Sequence, residues 1–196
     1  MNTAQPIRNK QDLDKFMNYY KKTERNPRNQ LLLVMGVNTA LRISDLLALR
    51  WRDVYEVEKH TFRGHISLVE AKTGKTSCIF VNQSVRSALG DYFQELTARE
   101  GQVVCGPEFL FQGRNGLPIS RVQAYRIIRK AAESCQLSGV ISPHSLRKTF
   151  GYHAWKQGIP PVLLMEIYHH SSFTVTQRYL GIEQDDRDEV FKNICL

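Results

Sequence analysis

Apolar positions at Leu13, Phe16, Met17 and Tyr20 recur at helical spacing and predict a helix over residues 12–22. The polar stretch before it, residues 1–11, reads as a mobile leader. Asn26-Pro27 breaks the pattern. Residues 30–38 are apolar nearly all round, as in a buried helix, and residues 44–49 continue helical. The periodicity then changes. Residues 54–57, 61–69 and 76–81 are short and rich in β-branched side chains, and are separated by Glu58-Lys59-His60 and Lys72-Thr73-Gly74-Lys75. They predict a three-stranded antiparallel sheet joined by hairpins. Helical spacing resumes over 84–99, behind an N-cap serine, then over 120–135, 142–157, 162–168 and 174–181. A last amphipathic helix is expected near 185–195. The fold class is mixed α+β, mainly helical, with one small antiparallel sheet.

At 196 residues the chain is one domain, or a small lobe plus a main one, large enough to bury its own core. Its 42% hydrophobic and 23% charged residues are ordinary for a globular protein. The longest apolar run, residues 31–37, is far short of the ~20 residues that span a bilayer, and the N-terminus lacks the apolar segment of a secretory signal. Charge changes the picture more. Lys+Arg 27 against Asp+Glu 19 leaves +8, which favours a polyanionic partner, nucleic acid before a membrane surface. Cys78, Cys105, Cys135 and Cys195 form no CxxC pair and are read as reduced thiols, Cys78 packed in a strand and Cys135 on a helix.

Several familiar sites are excluded. Gly74-Lys75-Thr76 lacks the upstream glycine of a P-loop, whose place is taken by Val69, and it lies between strands. His169 and His170 are adjacent, so their rings leave a helix on different faces, and neither zinc nor another metal is expected. Four segments stand out. Arg42 lies at the seam between two helices in Thr39-Ala40-Leu41-Arg42-Ile43-Ser44-Asp45, and Lys72 lies at a hairpin tip. His144 and Arg147 are three apart in the first turn of a helix, and Tyr179 follows His170 by nine residues. Each has an ordinary reading: a surface Arg42–Asp45 pair, a charged turn, a basic helix start, a half-buried tyrosine.

Together the six residues form an inventory for phosphoryl transfer. Arg42 and Arg147 can neutralise the non-bridging oxygens of a phosphodiester as charge builds. Lys72 can protonate a leaving alkoxide. His144 and His170 can donate hydrogen bonds or take the nucleophile's proton. The Tyr179 hydroxyl can attack phosphorus and form a covalent ester. With guanidinium groups supplying the positive charge, the inventory calls for no cofactor.

With these residues the sequence resembles the tyrosine recombinases, the phage integrase family. The matching segments are TALRISDLLALRW with Arg42, EAKTGKT with Lys72, PHSLRKT with His144 and Arg147, and HHSSFTVTQRYL with His170 and Tyr179. Order and spacing match over residues 10–181. The resemblance implies the family's catalytic fold over residues 12–181. It also implies transesterification through a 3′-phosphotyrosyl intermediate with a free 5′-hydroxyl, without metal or ATP. The function implied is that of a site-specific DNA recombinase or integrase. Its partner would be double-stranded DNA carrying recombination sites, bound as a homo-tetramer on paired sites by a protein that is monomeric when free. Residues 182–196 would dock on a neighbouring subunit, and the localisation would be cytoplasmic, at the nucleoid.

Two departures accompany the match. Where the family usually has Leu-Gly before the second histidine, this sequence has Tyr168-His169. Either His169 or His170 can then face the phosphate, and the nine-residue spacing favours His170. The chain also starts close to the catalytic segment, so no N-terminal core-binding domain is expected in it. In this it resembles the short fimbrial-switch invertases, or else an excised fragment. The competing readings are a type IB topoisomerase-like enzyme and a non-catalytic DNA-binding relative.

Overall fold

The computed structural model describes residues 4–101, 106–180, 188 and 191–194. Helix α1, Lys10–Lys22, starts where the Asn9 side chain accepts from the amides of Gln11 and Asp12. Helix α2, Pro27–Asn38, has Asn26 as its cap and proline in its first turn. It is the centre of the core: Leu31, Leu32, Leu33 and Met35 are fully buried, which accounts for its apolar run. Helix α3, Ile43–Ala48, follows with Arg42 at its N-cap, and a single turn, α4, spans Trp51–Val54.

The expected three-stranded sheet is two separate two-stranded ladders. Strand β1, Tyr55–Glu56, pairs with β2, Thr61–Phe62, and β3, His65–Val69, pairs with β4, Thr76–Phe80. The predicted middle strand is interrupted at Arg63-Gly64, where the Arg63 amide turns back to the Val54 carbonyl and Gly64 receives the Val81 amide. The β3–β4 turn closes through the Glu70 amide to the Lys75 carbonyl at 2.9 Å, with Gly74 at φ 66°. Cys78 lies on β4 as expected, but it is exposed, because the strand's inward positions belong to Ser77 and Ile79.

Helix α5, Gln83–Glu100, packs on α2 and is capped by Asn82, not by the expected serine. Helix α6, Arg121–Ser134, is capped by Ser120, with Cys135 at its C-cap. Helix α7, Pro143–Lys156, opens with a Ser142–Ser145 capping box. Helices α8, Pro161–Ile167, and α9, Phe173–Leu180, pack on each other and on α7. Ala40, Leu164, Tyr168 and Leu180 form a second small core where they meet. The leader expected to be mobile makes contacts with α7 from Ala4 onward. Ile7 is buried, its amide donates to Thr149 Oγ1 at 2.9 Å, and Lys148 Nζ donates to the Ala4 carbonyl at 2.8 Å. Most of the expected C-terminal helix, residues 182–196, lies outside the described residues; Asp188 and residues 191–193 are helical. Among the described residues, no helix is long and apolar enough to cross a membrane.

Candidate active site

Arg147 is the most buried of the six candidate residues, 1% exposed on α7. Its Nη1 donates to the Ala40 carbonyl and its Nη2 to the Tyr168 carbonyl, the latter at 2.9 Å. Ala40 can present that carbonyl because its φ of 56° turns the chain between α2 and α3. Tyr168 returns the contact, its hydroxyl donating to the Arg147 carbonyl at 2.7 Å and its ring lying 4.7 Å from the guanidinium carbon. A Cβ on Gly151 would collide with that hydroxyl, so glycine is required one turn along α7. Among the described residues, the buried Arg147 Nε has no hydrogen-bond partner.

Around this anchor the predicted residues converge. The Tyr179 hydroxyl and His144 Nε2 are 2.6 Å apart. The His170 ring meets Tyr179 edge-on at 4.6 Å and stacks on Tyr168 at 5.0 Å. Its Nδ1 is 2.9 Å from Oγ1 of the fully buried Thr176. Lys72, exposed at the β3–β4 tip, is near enough for its charge to act on His144. Arg42 does not pair with Asp45. Its Nη1 is bonded to the Glu70 carboxylate, while Asp45 Oδ1 accepts the Ala71 amide at 3.0 Å. Both carboxylates thus tie the lysine hairpin to α3.

The electrostatics follow from burial first and from this crowding of cations second. Desolvation, then Lys148, Arg147, Arg42 and Lys72, hold His144 below its ordinary pKa. Desolvation and the two arginines push His170 down to about 4. Both rings are therefore neutral at neutral pH. Burial raises the Tyr179 pKa, although both arginines oppose it, so its hydroxyl keeps its proton beside His144 Nε2. Burial also opposes ionisation of Glu70, but the Ser77 hydrogen bond and the arginine charges outweigh it and the group is a carboxylate.

The phage integrase family matches residues 8–185. The chain belongs to that family. A probable integrase/recombinase of Bacillus subtilis, YoeC, is 36% identical over 193 residues, covering 98% of this chain and 97% of that protein. The tyrosine recombinase XerD of Corynebacterium glutamicum is 28% identical over 165 residues, 84% of this chain but 52% of XerD. This phage integrase family member thus spans about half the length of its Xer relative. A structure of the XerH site-specific recombinase bound to its difH substrate shares the fold, with a TM-score of 0.77 at 20% identity over 98% of this chain and 54% of XerH. By this kinship the chain falls in the class of tyrosine-type site-specific DNA recombinases.

All six residues picked out in the sequence lie on elements that meet here, and His170 faces Tyr179 whereas His169 turns away to Ser77. Sequence reasoning missed Glu70, Asp45, Tyr168 and Thr176. Glu70 carried a faint signal, as the one acidic residue in a basic hairpin. Tyr168 carried another, as an aromatic standing where the family has leucine.

Proposed function

We propose that the protein cuts and rejoins DNA at specific sites through Tyr179. The single observation that carries this reading is the 2.6 Å contact from the Tyr179 hydroxyl to a neutral His144, set beside a buried arginine. As Tyr179 Oη attacks phosphorus, its proton passes to His144 Nε2. The bond to the 5′-oxygen breaks, and Lys72 protonates that oxygen. Arg42 and Arg147 stabilise the charge on the non-bridging oxygens, and His170 donates a further hydrogen bond. Attack by the 5′-hydroxyl of another strand on the phosphotyrosine reverses the step and frees Tyr179.

The assembly proposed is a homo-tetramer on paired double-stranded sites, with residues 182–196 docking on a neighbouring subunit. Phe191 and Ile194, both exposed, support it as apolar residues seeking a partner. A DNA substrate supports a cytoplasmic location at the nucleoid. The test is covalent capture from a pool of nicked duplexes of random sequence. The wild-type chain should form an SDS-stable adduct with a selected sequence, and Tyr179→Phe should bind that sequence without forming the adduct. An adduct with the phenylalanine variant would overturn the assignment.

A further inference from the structure

His169 is the first residue past the C-cap of α8, with φ 53°. The helix ends in a Schellman pattern: the His170 amide donates to the Met165 carbonyl at 3.0 Å and the His169 amide to the Glu166 carbonyl at 2.9 Å. Glycine takes this left-handed conformation freely, and histidine does not. Such strain persists only where the surroundings hold it. Here the side chain reaches across to the lysine hairpin. His169 Nε2 is 3.0 Å from Ser77 Oγ, which donates to Glu70 Oε1 at 3.0 Å. The hydroxyl has one proton and gives it to the carboxylate, so Nε2 carries the proton of the first bond. Glu70, 1% exposed, spends its other oxygen on Arg42 and on Thr73 Oγ1 at 3.2 Å.

Packing does not hold this junction by itself. A cavity of about 190 Å³ lies between hairpin and helix end, lined by Ala40, Glu70, Ser77, Ile79, Ile167 and His169. Hydrogen bonds bridge what side chains leave unfilled. We propose that His169 is a positioning residue: through Ser77 and Glu70 it latches the lysine hairpin, and with it Lys72, to the end of α8 that carries His170. The inference rests on the reading of Lys72 as the acid that protonates the leaving oxygen. Loss of the latch would let Lys72 wander while leaving Tyr179, His144 and Arg147 in place.

The test uses His169→Gly and Ser77→Ala in the full chain, on a nicked duplex first captured by the wild-type protein from the random pool. Cleavage should fall in both variants, by up to about 10²-fold, the scale of an ångström's misplacement. A duplex with sulfur as the 5′-leaving atom needs little protonation, and on it both variants should cleave like wild type. His169→Gly, relieved of its strained backbone, should melt no lower than wild type, whereas a merely structural histidine would lose stability and rate together. Amide hydrogen exchange over residues 71–75 should quicken in both variants, a readout that does not depend on the role of Lys72. Unchanged exchange would overturn the latch; where sulfur rescues Lys72→Ala, an unchanged rate on the oxygen substrate or a loss that sulfur does not repair would overturn it too. Lys72→Ala is the control: if sulfur fails to rescue it, the assignment of the acid fails, and exchange still decides whether the latch exists.

Discussion

The Tyr179 hydroxyl and the His144 imidazole, 35 residues apart, are joined by a 2.6 Å hydrogen bond. Burial, then the nearby cations, keep His144 neutral, and burial keeps Tyr179 protonated, so the hydroxyl proton stands beside its proposed acceptor.

The pH dependence of cleavage follows from this pair. His144 must be neutral to accept, and its depressed pKa keeps it so below pH 6.5. Wild-type single-turnover cleavage should stay level from pH 8 to 6.5 and decline only under that. His144→Ala should be slower by about 10²–10⁴-fold at pH 7. Its rate should climb with pH as hydroxide takes over the proton; a level profile in the variant would remove His144 from the proton path.

Arg147 is gripped by two carbonyls as a fork. Lysine can supply the charge but not the fork. Arg147→Lys should therefore cleave about 10²–10³-fold more slowly, the scale of losing one electrostatic stabiliser. Near-normal cleavage by this variant would show that charge alone suffices.

Gly151→Ala places a methyl group against the Tyr168 hydroxyl. Overpacking of this kind costs about 1–3 kcal/mol. Thermal melting should shift down, and cleavage should fall with it, because Tyr168 also supplies a carbonyl to Arg147. A melting curve that matches wild type would mean that Tyr168 moves aside freely.

His170 connects the site to acid stability. Its pKa is about 4 in the folded chain against an ordinary 6.5. The unfolded chain therefore binds the extra proton between these values, and folding stability declines as pH falls from 6.5 to 4. His170→Asn should show a shallower decline in melting temperature over that window. Parallel slopes would assign the acid sensitivity elsewhere.

DNA affinity should fall steeply with salt, since a chain of net charge +8 releases counterions from each phosphate that it neutralises. A flat response in a binding titration from 50 to 200 mM salt would contradict a phosphate-dominated interface.

The sequence by itself determined helices α1–α3 and α5–α9, the β3–β4 hairpin and the six candidate residues. Apolar spacing, Asn-Pro, Ser-Pro and lysine-turn signals are local, and the order of arginine, lysine, His-x-x-Arg, histidine and tyrosine is written along the chain. What it could not determine depends on contacts between distant segments. The break at Arg63-Gly64 is made by hydrogen bonds from Val81 and to Val54, and the leader is fixed by Thr149 and Lys148 on α7. The choice between His169 and His170 was decided by a helix terminus: the left-handed turn at His169 sends that ring to Ser77 and brings His170 over Tyr179. Arg42 looked like the partner of Asp45, three residues on, yet it binds Glu70, 28 residues away. A buried carboxylate takes the cation that folding brings to it, and that pairing exists only once β3 lies against the start of α3.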